Sequence, residues 1–248
     1  MGGFRQAVDR ALTILPFEAD WFTDHGVEVE HVGHPLLDAL DPAPSVSPPG
    51  HSLAILPGSR ASVIERNLPL MLRCAAPHLE AEGWSARISC SDPRHRGRID
   101  TLLRETELPL ERFEVVDGLE AALDGAGAAL SVSGTVLIHL LQRRLPAVVV
   151  YRLEGALQAW MGRHFLTVPH FSSVNLLAGR ELYPEFSFAG HEPPADLERA
   201  VARLLGDASW RATCAGGLDL AAERLGPAGA SRRAALAALA ALHPTPRT

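Results

Sequence analysis

Two short turns carry the residues best suited to chemistry. Leu56-Pro57-Gly58-Ser59-Arg60 follows an apolar run, SLAIL, and opens a helical pattern; Ser133-Gly134-Thr135 follows a second run, GAALSV, and does the same. Glycine lets the backbone approach a bound group closely. The unpaired N–H groups of a helix's first turn, with its dipole, attract an anion. Ser59, Ser133 and Thr135 add hydroxyl donors, and Arg60 adds a planar fork of donors suited to phosphate. Together these types fit a diphosphate. Taken singly, each turn has a plainer use, in which the hydroxyls or Arg60 only cap the helix. The choice turns on whether the two turns meet in space.

Other chemistries find less support. Neither serine sits in G-x-S-x-G, so no nucleophile elbow is visible. The 11 histidines include no H-E-x-x-H. His31-x-x-His34 lacks a third ligand, so no metal is expected. All 23 basic residues are arginine, which excludes a P-loop lysine and a lysine Schiff base. No carboxylate stands out as a general base, and no cofactor is expected. Cys74, Cys90 and Cys214 are far apart, with no C-x-x-C, and read as buried free thiols of a reducing compartment.

The net charge of −6 and pI near 6.0 give no general attraction for nucleic acid. The clusters Arg94-His95-Arg96-Gly97-Arg98, Arg143-Arg144 and Arg232-Arg233 read as solvated helix faces. The N-terminus lacks the apolar core of a signal peptide. No apolar run approaches the roughly 18 residues of a membrane span.

The elements that must position the turns follow from the rhythm of the chain. Residues 1–40 read as a short unit of helix, apolar run, helix capped by Gly26, and strand. DPAPSVSPPG marks a boundary, with the linker drawn over 41–51. From 52 to 207, short apolar runs at 52–56, 85–89, 113–116, 127–132 and 146–150 alternate with helical patterns at 61–80, 94–105, 119–124, 134–143 and 154–165. That alternation predicts an α/β domain, a Rossmann-like doubly wound parallel sheet. In the common strand order 3-2-1-4-5, the first and fourth runs are neighbours, and both turns fall at the switch point where such sheets bind ligands. The tail, 208–248, reads as alanine-rich helix with Ser231 as an N-cap.

At these residues the chain resembles a known family. LPGSR, SGT, Tyr151-Arg152 after VVV, and NLLAGRELYPEF (175–186), together with ILPFEADWF (14–22) and VGHPL (32–36), resemble the lipid-A-disaccharide synthase family over roughly residues 5–205. That resemblance implies the C-terminal half of an inverting, two-domain GT-B-type glycosyltransferase. The donor would be UDP-2,3-diacylglucosamine and the acceptor 2,3-diacylglucosamine 1-phosphate. It further implies diphosphate contacts from Gly58, Ser59, Arg60, Ser133, Gly134 and Thr135. Asn175, Arg180 and Glu181 match the family's long loop near the interdomain cleft, with a structural ion pair as the other use of Arg180 and Glu181. The family implies a cytoplasmic protein with peripheral contact to the inner membrane.

The chain departs from the family pattern at four points. It begins near the end of the first domain, so residues 1–40 read as that domain's remnant, and neither the acceptor site nor the catalytic carboxylate falls within it. A separate N-terminal-domain chain or a homodimer would complete it; the alternative is a catalytically inactive nucleotide-sugar-binding module. His139 replaces a glutamate that would accept bonds from the ribose; four residues after Thr135 on one helix face, it is expected to keep one neutral hydrogen bond to that sugar, with a packing role equally open. Val63 replaces an acidic residue, and Val174 replaces a proline.

Overall fold

The computed structural model describes residues 2–40, 50–106, 108–153, 169–190 and 192–242. The chain opens with α1 (Gly2–Ala7), β1 (Ala11–Thr13), α2 (Pro16–Asp24), β2 (Val29–His31) and α3 (Leu36–Ala39). Pro16 suits the first position of α2, where its missing N–H is not needed. The Glu18 carboxylate accepts from the Leu15 N–H at 3.0 Å and the Ile14 N–H at 3.2 Å, which fixes the helix start. Strands β1 and β2 form a small parallel sheet of their own.

The main body follows as β3 (Ser52–Leu56), α4 (Ala61–Ala81), β4 (Ser85–Cys90), α5 (Arg96–Glu105), β5 (Phe113–Asp117), α6 (Gly118–Leu123), β6 (Ala128–Val132), α7 (Val136–Gln142) and β7 (Ala147–Arg152). After the undescribed stretch come α8 (Ser173–Ala178), β8 (Glu185–Phe188), α9 (Ala195–Gly206), α10 (Ala208–Leu225) and α11 (Ala230–Leu242). The sheet has six strands in the order β5-β4-β3-β6-β7-β8, every pair parallel. The five expected strands thus take the expected order.

Burial explains the composition of the strands. Leu53 and Ile55 face the layer of α4, α5 and α9, whereas Ala54 and Leu56 face the layer of α7, α8 and α10. All four are at most 2% exposed. A strand covered on both faces must read as a continuous apolar run, and SLAIL and AALSV do. Asn67, buried in α4, donates to the Val63 carbonyl at 2.9 Å and accepts from the Arg152 N–H at 3.1 Å. That pair ties α4 to the end of β7.

Several expectations change. Strand β8 was not foreseen: EFSF is short, lies at the sheet edge, and is only partly buried throughout. The stretch expected as a long loop from Asn175 instead begins inside α8. The helix expected from 134 starts at Val136, and the one expected near 154–165 lies outside the described residues. Ser231 does not cap the tail helix from its own side chain's position, because α11 already begins at Ala230. Its cap comes from elsewhere in the chain. The Asp38 carboxylate accepts from the N–H groups of Gly229, Ala230 (3.1 Å) and Ser231 (2.8 Å). These bonds hold the Asp38 carboxyl well below the usual carboxylate range. Arg233 completes the clasp, donating to the carbonyls of Val32, Pro227 and Ala228 at 2.8–2.9 Å. Gly33 leaves room for it, since a Cβ there would lie 2.6 Å from the guanidinium.

Replacing Asp38 with alanine removes the acceptor for three first-turn amides of α11. Hydrogen exchange at Gly229, Ala230 and Ser231 should accelerate, while exchange in β3 and β6 stays as it was.

Candidate functional site

The register of the central pair sets the site. β3 and β6 run parallel with Leu56 opposite Ser131, so the turns after them leave the sheet side by side. Strand order reverses at this pair, which opens a crevice at the carboxyl edge. A cavity of about 640 Å³ occupies it. Gly58, Ser59, Arg60, Ser133, Gly134 and Thr135 all line it. The two turns meet.

Local geometry shows why those residue types stand there. Gly58 has φ +104°, and a Cβ would lie 2.9 Å from the Val63 side chain. Gly134 has φ +148°, a conformation that side-chain-bearing residues rarely adopt. Arg60 and Thr135 occupy N-cap positions, yet neither side chain makes a cap hydrogen bond. Their donors are therefore not spent on the helices. Arg60 is exposed, and among the described residues no carboxylate pairs with it. Among the described residues the lining holds no acid. The 21-residue α4 aims its N-terminus here, again with no acid in its first turn. Helix α7 has only seven residues, so its turn acts through local N–H and hydroxyl donors. The arrangement suits a dianion such as a diphosphate.

Other positions turn elsewhere. Asn175 is fully buried; its amide donates to the Tyr183 carbonyl at 2.8 Å and accepts from the Leu182 and Tyr183 N–H groups at 2.8 and 2.9 Å. It shapes the chain between α8 and β8 and does not line the cavity. Arg180 and Glu181 are exposed and also stand outside the lining. The Arg180 guanidinium lies over Gly217 of α10, and no ion pair joins it to Glu181. Val174 is buried in the core, and Val63 forms part of the cavity wall.

His139 lies one turn below the rim, covered by α6. Its Nδ1 is buried without a hydrogen bond, 3.8 Å from the Glu120 carboxylate, which itself pairs with Arg143. Burial pushes the imidazole below its ordinary value; Glu120 pulls it up, and Arg143 and His34 push it down again. A glutamate here would stand beside Glu120. His34 accepts the Leu36 N–H on Nδ1 at 3.2 Å and is likewise lowered by burial, against the pull of Glu18.

Residues with no expected role in the site complete the lining. Ser89 lies near the end of β4 and Ser91 just after it, Leu119 belongs to α6, and Tyr151, Phe171 and Ser187 come from the β7–β8 side. Ser89 and Ser187 lie at strand carboxyl ends, the one signal that could have marked them. The three cysteines are buried, as expected, and burial raises Cys74 and Cys214 to about 12, which leaves their thiols unreactive. The described residues contain no group of acids, histidines and cysteines fit for a metal. No described helix is long and apolar enough to cross a membrane.

A six-stranded parallel sheet with an anion-ready crevice at its switch point defines a Rossmann-type α/β unit, the fold of one half of a GT-B glycosyltransferase. Solved structures share that fold. The GtfA/B complex aligns over 94% of this chain and 45% of its own, with TM-score 0.53 and 13% identity. The calicheamicin glycosyltransferase CalG4 aligns over 96% and 53%, with TM-score 0.51 and 20% identity. The chain itself belongs to the lipid-A-disaccharide synthetase family, whose sequence profile matches residues 3–228. The lipid-A-disaccharide synthase of Azotobacter vinelandii is 33% identical over 242 residues, covering 93% of this chain and 62% of that protein. The synthase of Myxococcus xanthus is 34% identical over 254 residues, covering 97% and 64%. The chain thus spans somewhat under two thirds of the length of these relatives.

Two outcomes follow. Asn175→Ala leaves two buried N–H groups and a carbonyl without partners, and should cost about 3 kcal/mol in denaturant unfolding. His34 and His139 are held below 6.5, so the unfolded chain binds protons first on acidification. Their contribution to stability is complete above about 6.5 and is lost as pH falls toward the depressed folded values. The melting temperature should therefore drop on acidification below pH 6.5, and His139→Gln should flatten that slope.

Proposed function

We propose that this chain supplies the UDP-sugar donor half of a lipid-A-disaccharide synthase. In that reaction the acceptor hydroxyl of 2,3-diacylglucosamine 1-phosphate attacks the anomeric carbon of UDP-2,3-diacylglucosamine. The bond from that carbon to the diphosphate breaks, and UDP leaves. The role of the residues here is to hold the diphosphate and to offset the charge that grows on it as the bond breaks. Arg60 carries the full positive charge, and the backbone and hydroxyls of Gly58, Ser59, Ser133, Gly134 and Thr135 carry the hydrogen bonds. Donors fixed in advance act most strongly on charge that develops in the transition state. Residues 52–207 act as the nucleotide-sugar-binding domain and 208–248 as its tail, helical in its described part, which ends at Leu242; the linker drawn over 41–51 lies almost wholly outside the described residues.

The single observation that carries the reading is the shared cavity: Arg60 and Thr135, distant in sequence, line one crevice to which no acid contributes among the described residues. Residues 1–40 then read as the end of an acceptor-side domain. Phe4, Leu12, Ile14 and Trp21 are 37–48% exposed there. A separate chain carrying the rest of that domain, or a second copy of this chain, would cover them. The greasy substrates place the work beside a membrane surface, in the cytoplasm.

Calorimetry with UDP tests the proposal. The parent chain should bind, more weakly as salt rises, and Arg60→Ala should lose roughly 10- to 100-fold, the worth of charge-assisted hydrogen bonds to phosphate. A parent chain silent at millimolar UDP, or an Arg60→Ala variant as tight as the parent, would overturn it.

A further inference from the structure

Resting on the donor-site reading, we propose that Tyr151 and Phe171 form the apolar end of the cavity and receive a fatty-acyl chain of the donor. Both rings line the cavity, and they are 42% and 48% exposed. Large aromatic side chains left this open add little to the core, and beside a charged crevice they mark a surface for a ligand.

The order of chemistry along the sheet edge gives the cavity a direction. β4 lies on one side of the central pair, and β7 and β8 lie on the other. The β4 side contributes the hydroxyls of Ser89 and Ser91. The centre contributes Arg60, Gly134 and Thr135, and the β7–β8 side contributes the two rings, with the Ser187 hydroxyl between the strands' ends. A molecule with a polar heterocycle, a diphosphate and an acylated sugar meets hydroxyls, charge and apolar rings in that order.

The rings are also held in place. Along β7, Ala147 and Val149 pack into the layer of α7 and α8. Tyr151 continues that face beyond the core, opposite Ser187 in register. Phe171 is set by Glu185, whose side chain is only 8% exposed. Its carboxylate accepts from the Phe171 N–H at 2.9 Å and the Ser172 N–H at 2.7 Å, with His170 Nδ1 at 3.2 Å. A buried carboxylate is tolerated only when so satisfied. Here it fixes the backbone while the ring stays open to the cavity.

Binding of three probes to the full chain separates the possibilities: UDP, UDP-N-acetylglucosamine, and UDP-2,3-diacylglucosamine in dilute detergent. Tyr151→Ser and Phe171→Ser should each weaken the acylated donor roughly tenfold, the worth of burying a large apolar side chain. UDP and UDP-N-acetylglucosamine should bind as to the parent, and the melting temperature should hold, since both side chains are exposed. Equal weakening of all three probes would mean that the rings stack on the base, and would overturn the inference. Unchanged affinity for the acylated donor would overturn it as well. A parent chain that binds none of the probes removes the donor site itself, a different failure from UDP binding with no response to acylation or to the variants.

Discussion

The pairing of β3 with β6 is the constraint on which the site depends. Two parallel neighbours, one starting the domain's chain and the other resuming it after an excursion through β4 and β5, end at the same edge. Their helices then depart to opposite faces, α4 into one layer and α7 into the other. The space between them cannot be filled by either helix. The sequence lines that space with glycine, hydroxyls and one guanidinium, and the mismatch with an otherwise apolar sheet is what makes it a site. Gly58 is part of the same constraint, because only a residue without a Cβ fits between the turn and Val63.

Charge is distributed with the same economy. Several arginines outside the crevice are committed to carboxylates: Arg96 to Asp117, Arg98 to Glu65, Arg144 to Asp219, at 2.7–2.9 Å. Exposed pairs of this kind add little stability. Arg60 differs from them in facing a ligand-sized crevice with no carboxylate partner among the described residues. In a chain of net charge −6, that local excess does more to select an anionic ligand than any bulk property.

Much of this was legible in the sequence, and the limits have physical causes. The turns were legible because glycine, serine and arginine punctuate apolar runs locally, and because α/β alternation restricts the strand order to few choices. β8 was not, since an edge strand needs no continuous apolar run. Asn175 looked like a loop ligand because its partners, Leu182 and Tyr183, are brought to it only by the fold between α8 and β8. His139 shares a helix face with Thr135, as the spacing says. The sequence also marks a helix at 119–124, but nothing in it says that this helix sets Glu120 3.8 Å from the imidazole or that His139 stands outside the cavity lining. Phe171 was hidden for a similar reason: nothing local distinguishes an exposed phenylalanine from a buried one.

The clasp of Asp38 and Arg233 onto the tail has a consequence for how the molecule assembles. Its bonds join residues 191 positions apart in sequence, whereas the central sheet grows from units much nearer in sequence. Closing so long a loop becomes favourable only after both ends are already shaped. The tail therefore docks late, as a bolt slid across a finished frame. A bolt of that kind governs how slowly the native state comes apart more than how quickly it forms.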